Sequence, residues 1–215
     1  MSELIVRVFR TVACHTRLRI ISRLFEGEEA LPSQLARDLR LRRDLVSSHL
    51  ARLASVGLIQ RRRSGARCHC AAVSAYSDRT LSGQVVAWLR EALAAPLPRS
   101  AAGARRGARA PWALADAANV VFDAATAFTS VRRVQILRRL AQGDGVSVSK
   151  LMRELSMSDA AVSRHMGKLV RRGYVCAAHS GRPLAYRLAP DAKTPHHSRL
   201  FDIVRAHWER QELRS

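Results

Sequence analysis

The sequence predicts a mainly α-helical chain with small β-hairpins, built as two tandem copies of one small domain. Three observations predict it. Residues 116 positions apart match without a gap through a helix, a turn, a second helix and a hairpin. Inside each copy, several short runs with apolar residues at helical spacing give way to strand-like runs around a glycine. Between the copies, residues 96–111 carry prolines at both ends, several arginines and almost nothing to bury. That stretch reads as a linker between domains at 1–95 and 112–215. A chain of 215 residues is long enough for two such domains.

In order, residues 3–12 form an apolar lead-in helix through Leu4, Ile5, Val8, Phe9 and Val12. His15 to Phe25 follows, with Leu18, Ile21, Leu24 and Phe25 on one face and Gly27 as a stop. Pro32 opens a short helix with Leu35, Ala36 and Leu39 inward. A tight connection through Arg40 to Arg43 leads into a helix over Asp44–Val56, with Leu45, Val46, Leu50 and Leu53 expected inside. Gly57 stops it. Leu58 to Arg63 and Arg67 to Val73 read as strands around a Ser64-Gly65-Ala66 turn, and Asp78 to Ala95 as a closing helix.

After the linker the order repeats. Trp112 to Phe128 is a lead-in helix, Ser130 to Ala141 the next, and Val148 to Leu155 a short one. Ser158 to Tyr174 then has its own start, face and stop. Ser158 suits an N-cap, and Asp159 puts negative charge where the helix dipole favours it. Ala161, Val162, Met166, Leu169 and Val170 make the apolar side, and Gly173 ends the helix. Strands at Tyr174–His179 and Leu184–Leu188 flank Ser180-Gly181-Arg182, and His197–Leu213 closes the chain. The offset pairs Arg17 with Arg133, Leu24 with Leu140, Val46 with Val162, His49 with His165, Gly57 with Gly173 and Gly65 with Gly181.

The formal charge is +20, with a sequence pI near 11.6, and only Lys150, Lys168 and Lys193 are lysines. Such an arginine-rich chain implies a polyanionic partner, and nucleic acid is the commonest. An alanine- and arginine-rich composition also follows from genome base content. No apolar run reaches the roughly 18 residues of a membrane span, and the N-terminus has no signal-peptide pattern. A cytoplasmic protein is expected, with Cys14, Cys68, Cys70 and Cys176 reduced.

A short helix, a tight turn, a longer helix and a two-stranded hairpin make a winged helix-turn-helix. In that fold the second helix enters the major groove of double-stranded DNA. The motifs are specific. His15-Thr16-Arg17-Leu18-Arg19-Ile20 resembles the "Asp-Pro-Thr-Arg-Leu-Arg-Ile-Leu" opening of the ArsR-type (arsenic-repressor) family. Leu35-Ala36 to Leu39 and Val46-Ser47-Ser48-His49-Leu50 resemble its "Leu-Ala…Leu…Val-Ser-His-His-Leu" core. Leu53 and Val56-Gly57-Leu58-Ile59 resemble its "Leu…Ala-Gly-Leu-Val". In the second copy, Val162-Ser163-Arg164-His165-Met166, Leu169, Gly173-Tyr174-Val175 and Gly181-Arg182 to Tyr186-Arg187-Leu188 match as well. The resemblance implies a DNA-binding transcriptional regulator, commonly a repressor. What departs is the tandem arrangement, because family members are usually single domains that homodimerise through their terminal helices. Here those helices imply a pseudo-dimer within one chain, packed through Trp88, Trp112 and Trp208, with a homodimer of chains as the alternative.

The groove-facing set in the second copy is Ser158, Asp159, Ala160, Ser163, Arg164 and Lys168, against Arg42, Arg43, Asp44, Ser47, Ser48 and Arg52 in the first. Arginine binds guanine with two hydrogen bonds, and short hydroxyls reach phosphate or base edges. The two sets differ, so the halves should read different sequences and the operator should be asymmetric or an imperfect palindrome. His49 and His165 fit either a phosphate contact or a packed histidine bonded to backbone. Arg61, Arg62, Arg63 and Arg67 belong to the first wing, Arg182 and Arg187 to the second. Strand alternation lets only about half of such a run face one side. A flexible linker of roughly 16 residues spans about 20–24 Å and stretches to about 55 Å, which covers two half-sites about 34–36 Å apart.

The family's usual metal motif, paired cysteines on the helix before the recognition helix, is absent from Ser33-Gln34-Leu35-Ala36-Arg37-Asp38-Leu39. Cys68-His69-Cys70 is the one dense cluster, and in a strand its two thiols share a face. Two thiolates do not fill a tetrahedral zinc site, and Leu184, Ala185 and Tyr186 stand at the matching positions. Packing is the preferred reading, with metal or thiol sensing as the alternative and no cofactor expected. No catalytic motif sits in a plausible context, so an enzyme is not expected. A DNA-architectural or replication-initiation protein, which also uses tandem winged helices, is the other non-enzymatic reading.

Overall fold

The computed structural model describes residues 2–27, 29–65, 67–94, 113–143, 145–178 and 185–213. The linker at 96–111 and Trp112 lie outside them. The first copy runs α1 (Ser2–Val12), α2 (His15–Phe25), α3 (Pro32–Leu39), α4 (Arg43–Ser55), β1 (Gln60–Ser64), β2 (Arg67–Ala71) and α5 (Leu81–Ala94). The second runs α6 (Ala113–Thr126), α7 (Val131–Leu140), β3 (Val146–Ser147), α8 (Val148–Leu155), α9 (Asp159–Arg171), β4 (Val175–Ala178), β5 (Ala185–Leu188) and α10 (Pro195–Glu212). The fold is mainly helical with small antiparallel hairpins, two tandem winged helix-turn-helix domains.

One element is additional to the sequence reading. β3 pairs with β5, so the second wing is a three-stranded sheet in the order β3-β5-β4. In the first copy the same place holds a single bridge, Ala30 to Cys70. Two residues are too few to show a strand's alternation, so the sequence carries no visible signal for it.

Both turns before the longer helix close on a left-handed residue that is not glycine, Arg40 at φ 53° and its counterpart Ser156 at φ 49°. Each residue that follows, Leu41 or Met157, donates its N–H back to the carbonyl of Ala36 or Met152, at 2.9 and 3.0 Å. The strain of such a conformation, roughly 1–2 kcal/mol, is held by the helices on either side. Gly57 and Gly173 (φ 70° and 73°) end α4 and α9. A Cβ there would strike the Tyr76 ring at 2.3 Å and the Lys193 Cβ at 2.7 Å.

The terminal helices of the two copies pack on one another, and one apolar core runs through both. Phe9 of α1 meets Phe128 with ring centres 5.1 Å apart. His15 stacks on Phe122 of α6 at 4.4 Å and is hydrogen-bonded to Asn119 at 3.0 Å. Trp88 of α5 is fully buried and donates its Nε1 to the His196 carbonyl at 3.0 Å. Trp208 is buried in α10. Arg10 donates to the Thr129 carbonyl at 2.9 Å, Arg210 to Gln84 at 2.9 Å, and Arg199 pairs with Glu91.

Three expected core residues sit at the surface: Leu4, Leu45 and Val170 are 44%, 40% and 43% exposed. In α4 the buried stripe is Val46, Leu50 and Leu53, and in α9 it is Val162, Met166 and Leu169. Leu45 and Val170 each flank such a stripe by one residue, about 100° around the helix.

Candidate nucleic-acid interface

The longer helices are positioned by matched polar contacts. Arg17 is nearly buried and donates its Nε to the Thr11 carbonyl and Nη2 to the Arg10 carbonyl, at 2.9 Å for the second. Arg133 repeats this on Ala127 at 2.9 Å and Thr126 at 2.8 Å, and adds the Thr129 hydroxyl at 2.6 Å. Each guanidinium thus closes the last turn of a lead-in helix, where carbonyls lack helical partners. Arg23 pairs with Asp38 at 2.9 Å, and Arg139 with Glu154 at 2.6 Å, tying α2 to α3 and α7 to α8. The 116-residue offset relates each of these contacts but the Thr129 hydroxyl, which Ala13 replaces in the first copy.

With the inner stripes buried, the opposite faces of α4 and α9 are left to solvent. Arg43, Ser47, Ser48 and Arg52 are exposed on α4, and Asp159, Ala160, Ser163, Arg164 and Lys168 on α9. Among the described residues none of Arg43, Arg52, Arg164 and Lys168 has a carboxylate within 4 Å, unlike Arg42. Arg42 grips Asp44 with Nε and Nη2 at 3.2 and 2.9 Å. Ser158 Oγ accepts the Ala161 N–H at 3.4 Å as an N-cap, whereas Arg42, at the matching position, makes no side-chain cap.

In the first wing every β1 residue is exposed. The register places Arg61 opposite Cys70, Arg62 opposite His69, Arg63 opposite Cys68 and Ser64 opposite Arg67. Arg61 and Arg63 therefore share a face with the two thiols, and Arg62 and Arg67 share the other with His69. Arg62 and His69 both approach Glu29, at 3.2 and 3.4 Å. Arg187 is exposed beside the end of α7, near Gln142 and Gly143, at the base of its hairpin. Arg182 and His179 lie outside the described residues.

His49 and His165 lie half-buried, and the Nδ1 of each is buried with no hydrogen-bond partner among the described residues. Burial pushes both imidazoles below their ordinary pKa, helped by Arg17 and Arg52 at His49 and by Arg133, Arg164, Lys168 and Arg132 at His165. The backbone bond considered for a packed histidine is not made at Nδ1.

Cys70 is fully buried and its thiol is pushed up to about 11, chiefly by burial. The thiolate, not the thiol, binds metal and reacts. Cys68 is half-buried, on the same face of the hairpin as Arg61 and Arg63. Among the described residues no three His, Cys, Asp or Glu side chains gather as a metal would need, and no described helix is long and apolar enough to cross a membrane.

The sequence reading missed Leu45, which stands exposed on α4 between the polar groups and offers an apolar contact. Its place one residue off the Val46, Leu50 and Leu53 stripe is the signal that could have shown it. The ion pairs that orient α3 and α8 also leave a signal in the sequence, since the offset places Arg139 on Arg23 and Glu154 on Asp38.

Helix, turn, exposed helix and hairpin, given twice, define a tandem winged helix-turn-helix protein. The family model for bacterial regulatory proteins of the arsR family matches residues 14–61 and again 130–176. The two matched regions stand in tandem in one chain, and their similarity to that family points to a DNA-binding transcriptional regulator. No curated protein matches the chain.

Proposed function

We propose that this chain is a sequence-specific regulator, acting as a repressor in the cytoplasm, that lays α4 and α9 in two adjacent major-groove half-sites of double-stranded DNA. The observation that carries the reading is the pair of exposed faces at one position of a repeated arsR-family domain, cationic and different. Arg43, Ser47, Ser48 and Arg52 read one half-site, with Arg42 and Asp44 beside them. Ser163, Arg164 and Lys168 read the other, with Ser158, Asp159 and Ala160 at the helix start. His49 and His165 support these faces from behind, and the arginines of one face of the first wing, with Arg182 and Arg187 of the second, lie along phosphates. Unlike faces predict an asymmetric or imperfectly palindromic operator. A single chain supplies both readers as a pseudo-dimer.

The test is selection of bound genomic fragments followed by footprinting and a salt titration. Discrete footprints with two unlike half-sites at promoters are expected. Six to ten phosphate contacts imply affinity falling about 10³–10⁵-fold between roughly 50 and 200 mM salt. A flat salt response would overturn DNA binding, and uniform coating would replace a regulator with an architectural protein.

A further inference from the structure

We propose that a cleft beside α4 binds a small organic anion, a carboxylate, sulfonate or phosphate carried on an apolar body. The cleft encloses about 500 Å³ between α1, the starts of α2 and α7, and the end of α4. Arg7, Arg10, Arg17 and Arg52 line it, and Val6 and Val131 give it an apolar wall. Its single acid is Glu3. Among the described residues none of the four arginines has a carboxylate within 4 Å, so four positive charges face one negative charge.

The second copy supplies an internal comparison. At the positions 116 residues on, Val6 becomes Phe122, Arg7 becomes Asp123, and Arg10 becomes Thr126. Val131, in turn, corresponds to His15. There the space is filled: His15 stacks on Phe122 at 4.4 Å. It is also neutralised differently, because Asp123 takes Arg172 and Lys193. The fold does not need an open, uncompensated arginine cleft at this point, and among the described residues only the first copy has one.

The depth of the cleft selects a small ligand. Arg17 is 7% exposed, out of reach of phosphates on a stiff duplex but not of a free carboxylate. Guanidinium forks match such anions well, and the valines suit an apolar body.

The site is also placed to act on DNA binding, a consequence that rests on the function proposed above. Arg7 holds the Ser55 carbonyl at the end of α4 at 2.7 Å, and Arg10 holds Thr129 of the second copy at 2.9 Å. Arg52 belongs to the DNA-facing set. An anion that draws these groups together removes positive charge from α4 and re-sets α1 against the second copy. DNA affinity therefore falls when the anion binds.

The test uses the full chain and 1-anilinonaphthalene-8-sulfonate, followed by its fluorescence without DNA. Saturable one-to-one binding, displaced by benzoate, is expected, and the neutral analogue N-phenyl-1-naphthylamine should not bind comparably. R7Q combined with R10Q should weaken the sulfonate about tenfold or more. V6F combined with V131H imports the pair that fills the second copy, keeps all four arginines, and should abolish binding. A partly folded variant would raise the dye signal rather than lower it, and an unchanged helical circular-dichroism spectrum excludes a fully unfolded one. Binding unchanged in both double variants, or equal binding of the neutral analogue, overturns the site. With operator DNA, saturating sulfonate should lower affinity about fivefold or more; unchanged affinity overturns the regulatory role. A chain that binds the sulfonate but no DNA overturns the regulator reading and leaves the site standing.

Discussion

Arg42 and Asp44 hold each other at the start of α4, guanidinium nitrogens on both carboxylate oxygens at 3.2 and 2.9 Å. The pair is largely exposed, so its own contribution to stability is small. Its effect is on what α4 presents, because Asp44 occupies a cation that would otherwise meet phosphate. Asp44→Asn releases Arg42 and should tighten DNA binding, steepening the dependence of log affinity on log salt by about one. Fluorescence anisotropy over a salt series reads this directly, and the same series on unrelated DNA should show discrimination falling.

Arg164 has Ser48 as its counterpart in the first copy. Arg164→Ala should relax preference at one base pair of one half-site by about 1–3 kcal/mol, leaving the other half's footprint in place. Ser48→Arg should shift the selected sequence toward a true palindrome. Site selection with each variant checks both outcomes.

Arg133 fills three acceptors from a position 7% exposed. Arg133→Met strands buried carbonyls and should cost about 2–4 kcal/mol in urea denaturation. Arg133→Lys should recover little, since an ammonium cannot span the same fork. Arg17→Met should behave alike in the first copy.

His197 is 1% exposed. It is bonded to the Thr194 hydroxyl at 2.8 Å and lies 3.5 Å from Asp123, whose oxygens already serve Arg172 and Lys193. Burial, aided by Lys193, His196 and Arg172, lowers its pKa to about 4 from 6.5. Between those values the unfolded chain binds the extra proton, so stability should fall as pH drops from 6.5 toward 4 and level off below. The loss is on the order of 3 kcal/mol. His197→Leu, which installs the residue found at the matching position, Leu81, should make that slope shallower in denaturation curves across this pH range.

What the sequence made legible follows from what leaves a periodic trace. Buried stripes such as Val46, Leu50 and Leu53 recur at helical spacing, and Gly57 and Gly173 mark stops that only a left-handed residue satisfies, so helices and hairpins could be placed to within a few residues. β3 left no trace because two residues have no period. Leu45 and Val170 were misplaced because hydrophobicity was read as burial at the edge of a stripe. The exposed positions of α4 and α9 could be named from the helix pattern. Whether a cation there is free or held, as Arg42 is by Asp44 and Arg62 by Glu29, depends on contacts between residues that hydrophobic spacing does not encode.

The packing of α1 and α5 on α6 and α10 within one chain has a quantitative consequence. For a repressor assembled from separate subunits, occupancy at low abundance rises with the square of protein concentration. If the proposed function holds, two readers on one polypeptide do not separate on dilution, and occupancy should follow concentration to the first power.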